Sequence, residues 1–229
     1  MALDVYVMPL WRFKAGDFRL PIETVVGIQP KVISPEGVQE LPQRIGWFAR
    51  WRARRAVRAI RKTVDRANNA RITWVDDGEV VYAEQSLGFE SLRAFAYWLD
   101  CRDRLSEFEE PPNGNYYEHP VWKLEVSRIS FPHLVEHDCY SGYYLPCEFE
   151  RTVQVEPYLL AGRWPTARSV GSTTHLMREL EYLQSVLQLP DQYEYPTDDP
   201  LLSVKQAYIQ LREIAHQSLR HGLPVIFWG

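Results

Sequence analysis

Residues 131–147 hold an unusual concentration of side chains that can do chemistry. The segment is FPHLVEHDCYSGYYLPC, and it contains two of the six histidines and two of the three cysteines of the chain. Imidazole and thiolate groups bind zinc, and an imidazole beside a carboxylate can transfer a proton. No phosphate-binding loop, dinucleotide fingerprint or nucleophile elbow occurs elsewhere, so this segment is the first candidate for a functional site.

His133, Glu136 and His137 match the pattern H-x-x-E-H. On a helix, residues four apart share a face, so two imidazoles could hold a metal while the carboxylate activates water. Over these five residues the chain resembles the inverted zinc metallopeptidases. The resemblance implies that His133 and His137 are zinc ligands, that Glu136 is the general base and that a distant acid such as Glu213 is the third ligand.

A structural zinc site is a second interpretation of the same segment. His133, His137, Cys139 and Cys147 are of the right chemical types for four zinc ligands, although the cysteine spacing is longer than that of a usual zinc knuckle. In a third interpretation these side chains are packed, hydrogen-bonded and reduced. We expect no cofactor, with zinc as the alternative.

The run HDCYSGYYLP, residues 137–146, resembles a His-Asp-Cys/Ser-x-Gly-Tyr-Tyr-x-Pro segment of small bacterial proteins, some of which resemble immunity proteins that neutralise a toxin made nearby. This chain has one more residue before the glycine. The resemblance implies a protein partner, with a toxin as the candidate. The residues of a partner-binding surface, or alternatively of a rigid structural turn, are then His137, Asp138, Gly142, Tyr143 and Tyr144.

Physical chemistry gives this run specific local roles. Asp138 can cap main-chain amides of the following turn, and Gly142 can adopt a positive φ. Tyr143 and Tyr144 are adjacent in a β-prone run, so we expect one ring to point inward and the other outward.

The charge is distributed very unevenly. Residues 44–71 carry ten basic side chains and the single acid Asp65, so the rest of the chain has a balance of -13 although the formal net charge is only -4. The predicted helix in this stretch has a basic face that includes Arg50, Arg54, Arg58 and Arg61. This face has three interpretations. Its cations are solvated or paired with the protein's own carboxylates, they bind an acidic partner, or they bind nucleic acid.

Aromatic residues on the same helix bear on the nucleic-acid interpretation. Trp47 and Trp51 could stack on bases beside the arginines. Trp51 is also in line with the apolar positions Val57, Ile60 and Val64, however, and we therefore expect it to lie in the core.

Periodicity predicts an α+β protein with several long amphipathic helices and a small antiparallel sheet or hairpins. Helices are expected at 45–70, 89–103, 173–187 and 204–219. Ser172 or Thr173 is the expected N-cap of the third helix, Pro190 its expected stop, and Gly222 the expected C-cap of the fourth. Strands are expected at both ends of the chain. A hairpin is expected where Asp77-Gly78 separates the β-prone runs 72–75 and 80–83.

Length and composition complete the expectations. A chain of 229 residues with 45% hydrophobic and 24% charged residues is typical of one globular domain, residues 1–229, and the Pro- and Asn-rich stretch 107–120 is expected to be an exposed loop. No apolar run is long enough to span a membrane, and three cysteines fit a reducing cytoplasm. The sequence favours a cytoplasmic protein-binding module, with a zinc-dependent hydrolase or zinc-stabilised module second and a nucleic-acid binder third.

Overall fold

The structure is a computed structural model that describes residues 3–17, 31–34, 37–40, 45–86, 88–111, 114–138, 141–155, 168–189 and 199–228. It has an α+β fold, as predicted. The helices are α1 (Leu10–Ala15), α2 (Trp47–Asn68), α3 (Glu90–Cys101), α4 (Pro132–Val135), α5 (Thr173–Leu187) and α6 (Leu202–His221). The strands are β1 (Leu3–Val7), β2 (Lys31–Ser34), β3 (Gly37–Glu40), β4 (Tyr82–Ser86), β5 (Ser141–Leu145), β6 (Val153–Val155), β7 (Arg168–Ser172) and β8 (Val225–Trp228).

Six of these strands form one mixed sheet in the order β4-β1-β8-β5-β7-β6. The pair β5 and β7 is parallel and the other neighbours are antiparallel. The two terminal strands that the sequence predicts are therefore adjacent, near the centre of the sheet. β2 and β3 form a separate antiparallel hairpin. The sheet is larger than predicted, because its strands come from distant parts of the chain.

Apolar side chains cover both faces of the large sheet. On one face, α3, α5 and α6 pack over the largest core cluster, which includes Phe89, Leu180 and Leu211. On the other face, α1 and α2 pack over a second cluster that includes Trp11 and Val57. A strand buried on both sides has no solvent-facing row, so alternate residues enter different cores. None of the helices in the described ranges combines the length and the apolar character needed to cross a bilayer.

The predicted start of α5 and the predicted end of α6 are both confirmed. The Ser172 hydroxyl accepts a hydrogen bond from the His175 amide at 3.1 Å and so caps α5. Gly222 ends α6 in the left-handed conformation, with a φ of 65°. Pro190, the predicted stop after α5, lies outside the described residues.

The predicted hairpin at Asp77-Gly78 is wrong. Residues 71–81 form no strand, and β4 instead pairs with β1. Two hydrogen bonds between carboxylates and main-chain amides attach this stretch to its neighbours. Asp65 accepts a hydrogen bond from the Ile72 amide at 2.6 Å, and Asp76 accepts one from the Leu10 amide at 2.5 Å. The stretch therefore packs beside α1 and α2 instead of pairing with itself.

The prediction that Trp51 lies in the core is also wrong, because 46% of its surface is exposed. The buried face of α2 consists only of Ala53, Val57, Ile60 and Val64. Trp51 precedes Val57 by six residues, which rotates its side chain by about 240° at 3.6 residues per turn. It therefore lies on the face of α2 that points away from the sheet.

Candidate functional site

His133 is fully buried and both of its ring nitrogens contact main-chain groups. Nδ1 accepts a hydrogen bond from the Ser172 amide at 3.0 Å, so Nε2 carries the proton and donates it to the Glu150 carbonyl at 3.1 Å. Burial lowers the pKa of His133 to about 4, and the nearby His175 adds to the shift. This neutral imidazole joins the strand β7 to the segment before β6.

His137 is buried beside it in the same structural unit. Its ring stacks on the Tyr144 ring with centroids 4.0 Å apart, and Nε2 donates to the Tyr143 carbonyl at 3.1 Å. Burial lowers the pKa of His137 to about 3. Tyr144 in turn donates from its hydroxyl to the His133 carbonyl at 2.7 Å. The two histidines and Tyr144 are thus parts of one interior hydrogen-bonded and stacked cluster.

Two glycines create the space for this cluster. Gly142 has a φ of 140°, and a Cβ there would lie 2.3 Å from the Ser169 carbonyl oxygen. This confirms the predicted positive φ. At Gly171, a Cβ would lie 2.5 Å from the Tyr144 ring. The close approach of β5 and β7 around the His137–Tyr144 stack therefore requires glycine at both positions.

Tyr143 and Tyr144 do point to opposite sides of the sheet, but the prediction of an outward ring is wrong. Both side chains are buried, Tyr143 in the cluster beneath α1 and α2 and Tyr144 in the cluster beneath α5 and α6. Asp138 is half-buried and accepts a hydrogen bond from the Ser141 hydroxyl at 2.8 Å. Of the two interpretations of this segment, its geometry favours the structural turn over a partner-facing surface.

The metal-ligand candidates are not assembled in the part of the chain that the structure describes. No group of three or more His, Cys, Asp or Glu side chains in those residues has the geometry to hold a metal. Cys139 lies outside the described residues. Burial raises the pKa of the Cys147 thiol to about 12, which disfavours the thiolate that zinc requires. The exposed Glu136 accepts from Thr152, and Glu213 accepts from Gln217.

Glu179 is a buried carboxylate that contacts the histidine segment and that the sequence did not single out. Its two carboxylate oxygens accept hydrogen bonds from the His133 and Leu134 amides at 2.9 and 2.8 Å, so it caps the short helix α4 from the side of α5. Burial raises the pKa of Glu179 to about 8. The signal in the sequence is weak, because a glutamate on an amphipathic helix is ordinarily solvated. In this structure Glu179 instead holds the main chain at His133 and Leu134 in place.

The basic face of α2 is exposed and is not neutralised by the described carboxylates. Arg50, Arg54 and Arg58 are all exposed, and no Arg or Lys of α2 lies within ion-pair distance of an acidic side chain in the described ranges. Arg61 differs because it is half-buried, lies 4.2 Å from the Trp74 ring centroid and donates to the Trp74 carbonyl. The self-neutralised interpretation requires ion pairs between α2 and carboxylates of the same protein, and the described part of the molecule contains none.

Residues 105–122 carry the opposite charge. This stretch, here called the acidic segment, contains Glu107, Glu109, Glu110 and Glu118 and no Lys or Arg. Within it, Glu107, Glu109 and Glu118 are exposed, whereas Tyr116 and His119 are buried. The sequence predicted an exposed loop over 107–120. The structure shows exposed glutamates and the exposed Tyr117 there, but Tyr116 and His119 are buried and Phe108 is half-buried.

Aromatic side chains attach the acidic segment to the body of the protein. The Phe108 ring stacks on His119 at 4.9 Å and packs edge-on against Phe95 of α3 at 5.3 Å. His119 accepts from the Val121 amide at Nδ1, so Nε2 donates to the Glu109 carbonyl at 2.9 Å. Trp98 of α3 donates to the Leu105 carbonyl at 2.7 Å. The segment thus has two short 3-10 helices, Tyr116–Glu118 and Pro120–Lys123, and several fixed points. Its glutamates flank the Phe108–His119 stack.

A second acidic stretch comes close to the first at the start of α6. Residues 179–204 contain six acids and no Lys or Arg, and 190–198 lie outside the described residues. Glu110 of the acidic segment accepts hydrogen bonds from the Ser203 amide at 3.1 Å and the Ser203 hydroxyl at 2.9 Å. Asp199 accepts from the Leu201 amide and pairs with Lys205. The signal that could have found this surface was the absence of basic residues from both stretches.

The described surface therefore has two electrostatically distinct parts. Exposed carboxylates lie on the anchored acidic segment beside α3 and α6, and exposed guanidinium groups lie on α2 across the sheet. The carboxylates of the acidic segment extend from an anchored backbone, and the exposed cations Arg104 and Lys123 lie just beyond its two ends. Such a cluster of carboxylates produces a negative local potential, which attracts a cationic protein surface.

Comparison with known proteins identifies the family of this chain but finds no individual relative. Comparisons with curated proteins and with solved structures found no match. One family matches almost the whole chain, residues 1–227. The chain belongs to that family, which is described as "Putative DNA-mimic protein".

Proposed function

We propose that this protein binds the DNA-contacting surface of a protein partner, with its exposed carboxylates in the places that DNA phosphates would occupy. DNA-binding surfaces are cationic because most of their contacts are made to phosphates. A protein that offers an equivalent row of negative charges can occupy such a surface and exclude DNA from it. The family description supports this function, and the acidic segment supplies the groups that it needs.

The observation that carries the proposal is the anchored backbone from which Glu107, Glu109 and Glu118 extend. Charged side chains on a disordered tail lose much conformational entropy when they bind, whereas side chains on an anchored backbone lose less. Phe108, His119 and Glu110 hold the backbone of this segment against α3 and α6. Its charges are therefore partly preorganised for a cationic partner.

The finer proposal concerns the identity of the partner. A bacterial toxin that acts on DNA would expose the cationic surface that this function requires, so neutralisation of such a toxin is the form of the function that we favour. The resemblance of residues 137–146 to a segment of immunity-like proteins supports it. Co-purification with the product of a neighbouring gene is the matching test.

The proposed function is tested by affinity capture with three versions of the full chain. The first is native, and the second carries Glu107→Gln, Glu109→Gln and Glu118→Gln. The third is a charge-matched control with Asp77→Asn, Glu79→Gln and Glu150→Gln, three exposed acids outside the acidic segment. Each is immobilised, exposed to lysate of the source cells, and eluted either with duplex DNA or with neutral dextran.

We expect the native chain and the control to retain the same proteins, and duplex DNA to release them. Those proteins should themselves bind DNA when purified. The acidic-segment variant should lose them. Retention by all three versions, or release that does not depend on DNA, would contradict the proposed function.

A further inference from the structure

We propose that the exposed face of α2 binds single-stranded nucleic acid. This inference goes beyond the proposed function and concerns the opposite face of the sheet. Only a narrow part of the α2 surface is buried in the core. Its buried residues Ala53, Val57, Ile60 and Val64 form a stripe about 60° wide. Outside this stripe, Arg61 packs on the Trp74 ring, and the guanidinium groups of Arg50 and Arg54 lie 6.0 and 5.3 Å from the Trp11 ring centroid. Arg50 and Arg54 are nevertheless exposed, as are the other cations of this face described next.

Cations on this face form a regular row. Arg50, Arg54, Arg58, Lys62 and Arg66 follow one another at four-residue steps, and all five are exposed. Each step advances by about 6 Å and turns by about 40° around the helix. The row therefore crosses the exposed face obliquely, with a spacing of the same order as that between successive phosphates of an extended strand.

Such a row has an energetic cost in the free protein. Like charges at four-residue steps on a helix destabilise it by about 0.2–0.5 kcal/mol per pair. The one acid of α2, Asp65, is engaged with the Ile72 amide, and no described carboxylate forms an ion pair with the row. A bound polyanion would remove this repulsion and release counterions at the same time.

Aromatic rings lie beside the cations at the start of α2. Trp47 is 76% exposed and Phe48 is 59% exposed, which is unusual for side chains of this size. Phe48 stacks on Trp51 with centroids 5.7 Å apart, and the Arg55 guanidinium lies 5.7 Å from the Trp51 ring. Exposed rings next to cations are the two components with which proteins bind single strands: bases stack on the rings and phosphates follow the cations.

The aromatic rings favour a single strand over a duplex, because duplex bases are already stacked on each other. They also distinguish nucleic acid from other anionic partners. An anionic membrane would require a continuous apolar face, but the apolar stripe of α2 packs on the sheet. A head-to-tail contact between the basic face of one copy of this chain and the acidic face of the next would build a ring or an open filament.

The C-terminal end of α2 extends the same surface. Lys62, Arg66 and Arg71 line a shallow depression together with Asp65, Asn69 and Ala70. Asn69 is in the left-handed conformation and ends the helix there. The basic surface therefore continues past the last turn of α2, so a strand that crosses the helix can leave along this depression.

The test uses fluorescence anisotropy with a short labelled oligothymidine and the full chain, at increasing salt. One variant carries Arg50→Gln, Arg54→Gln and Arg58→Gln. Its matched control carries Arg102→Gln, Arg128→Gln and Arg220→Gln, three exposed arginines elsewhere. A third variant carries Trp47→Ala and Trp51→Ala. Thermal unfolding confirms that each variant is folded.

We expect the native chain and the control to bind the oligonucleotide with the same salt dependence. Removal of three contacts should weaken binding at least tenfold and lower the slope of log affinity against log salt by about 2. The tryptophan variant should lose about tenfold in affinity with an unchanged slope, because stacking does not release counterions. The acidic-segment variant described above should bind normally, which separates this inference from the proposed function.

Several outcomes would overturn the inference. One is equal loss of binding in the control and in the α2 arginine variant. Another is tighter binding of a duplex than of the single strand of the same length. Binding to phosphatidylserine vesicles without binding to the oligonucleotide would assign α2 to membranes. Self-association that the α2 variant abolishes, again without oligonucleotide binding, would assign it to a second copy of the chain.

Discussion

Glu110 and Ser203 are 93 residues apart in the sequence, and the carboxylate of Glu110 accepts hydrogen bonds from both the amide and the hydroxyl of Ser203. The contact attaches the acidic segment to the first turn of α6. Ser203 also accepts at its carbonyl from the Ser91 hydroxyl, so α3, α6 and the acidic segment meet at this residue. We infer that the positions of the exposed glutamates depend on it.

Replacement of Ser203 by alanine should loosen the acidic segment. The variant loses the hydroxyl donor but keeps the amide donor, and we expect the free energy of unfolding to fall by about 1–2 kcal/mol. Hydrogen exchange of the amides in residues 105–111 should also become faster. The control is Ser106→Ala, an exposed serine in the same segment. Equal exchange rates in both variants would show that this contact does not order the segment.

Gly171→Ala should disturb the stack of His137 on Tyr144. The new methyl group would lie 2.5 Å from the Tyr144 ring in a fully packed interior, and overpacking of this kind costs about 1–3 kcal/mol. Urea unfolding measures the effect. Gly46→Ala is the matched control, since a Cβ there meets no atom within 4 Å and its φ is negative. If both variants were equally stable, the close approach of β5 and β7 would not be a constraint.

The buried histidines should make the protein sensitive to acid. His133 and His137 have folded pKa values of about 4 and about 3, below the ordinary value of 6.5, so the unfolded chain binds protons that the folded chain does not. Stability is then fully present above pH 6.5 and falls as the pH decreases, by about 1.4 kcal/mol per pH unit for each histidine. His133→Gln should flatten this slope, whereas His216→Gln, at an exposed position, should leave it unchanged.

Glu179 should act in the opposite direction. Its folded pKa of about 8 lies above the ordinary 4.5, so between these values the folded chain holds a proton that the unfolded chain has lost. The stability that it contributes therefore falls as the pH rises from 4.5 to 8. Glu179→Gln cannot titrate and should remove the decline between pH 6.5 and 8, as measured by thermal unfolding. Glu181→Gln, on the exposed side of α5, is the control, and an identical decline in both variants would contradict the assignment to Glu179.

Local sequence rules predicted the regular elements well, because their determinants are local. Ser172 and Gly222 mark the ends of α5 and α6 through their own conformations. The hairpin at Asp77-Gly78 failed because Asp76 binds an amide of α1, a contact that no short-range rule contains. Trp51 was misplaced because a six-residue gap was accepted as helical spacing.

The candidate site was harder to predict than the fold. The histidine segment attracted attention because of its residue types, yet His133 and His137 are buried and bonded to main-chain groups. The acidic segment lacked any motif. Its significance depends on the Phe108–His119 stack and on the Glu110–Ser203 contact, which join residues that are distant or unremarkable in the sequence.

The central claim is that the acidic segment takes the place of DNA on a protein partner. Its most direct test is equilibrium competition: a partner obtained by affinity capture is bound to labelled duplex DNA and titrated with the full chain. We predict complete displacement of the DNA by the native chain and by the α2 arginine variant, and no displacement by the variant with Glu107→Gln, Glu109→Gln and Glu118→Gln. A ternary complex in which the partner holds DNA and this protein together would contradict the claim.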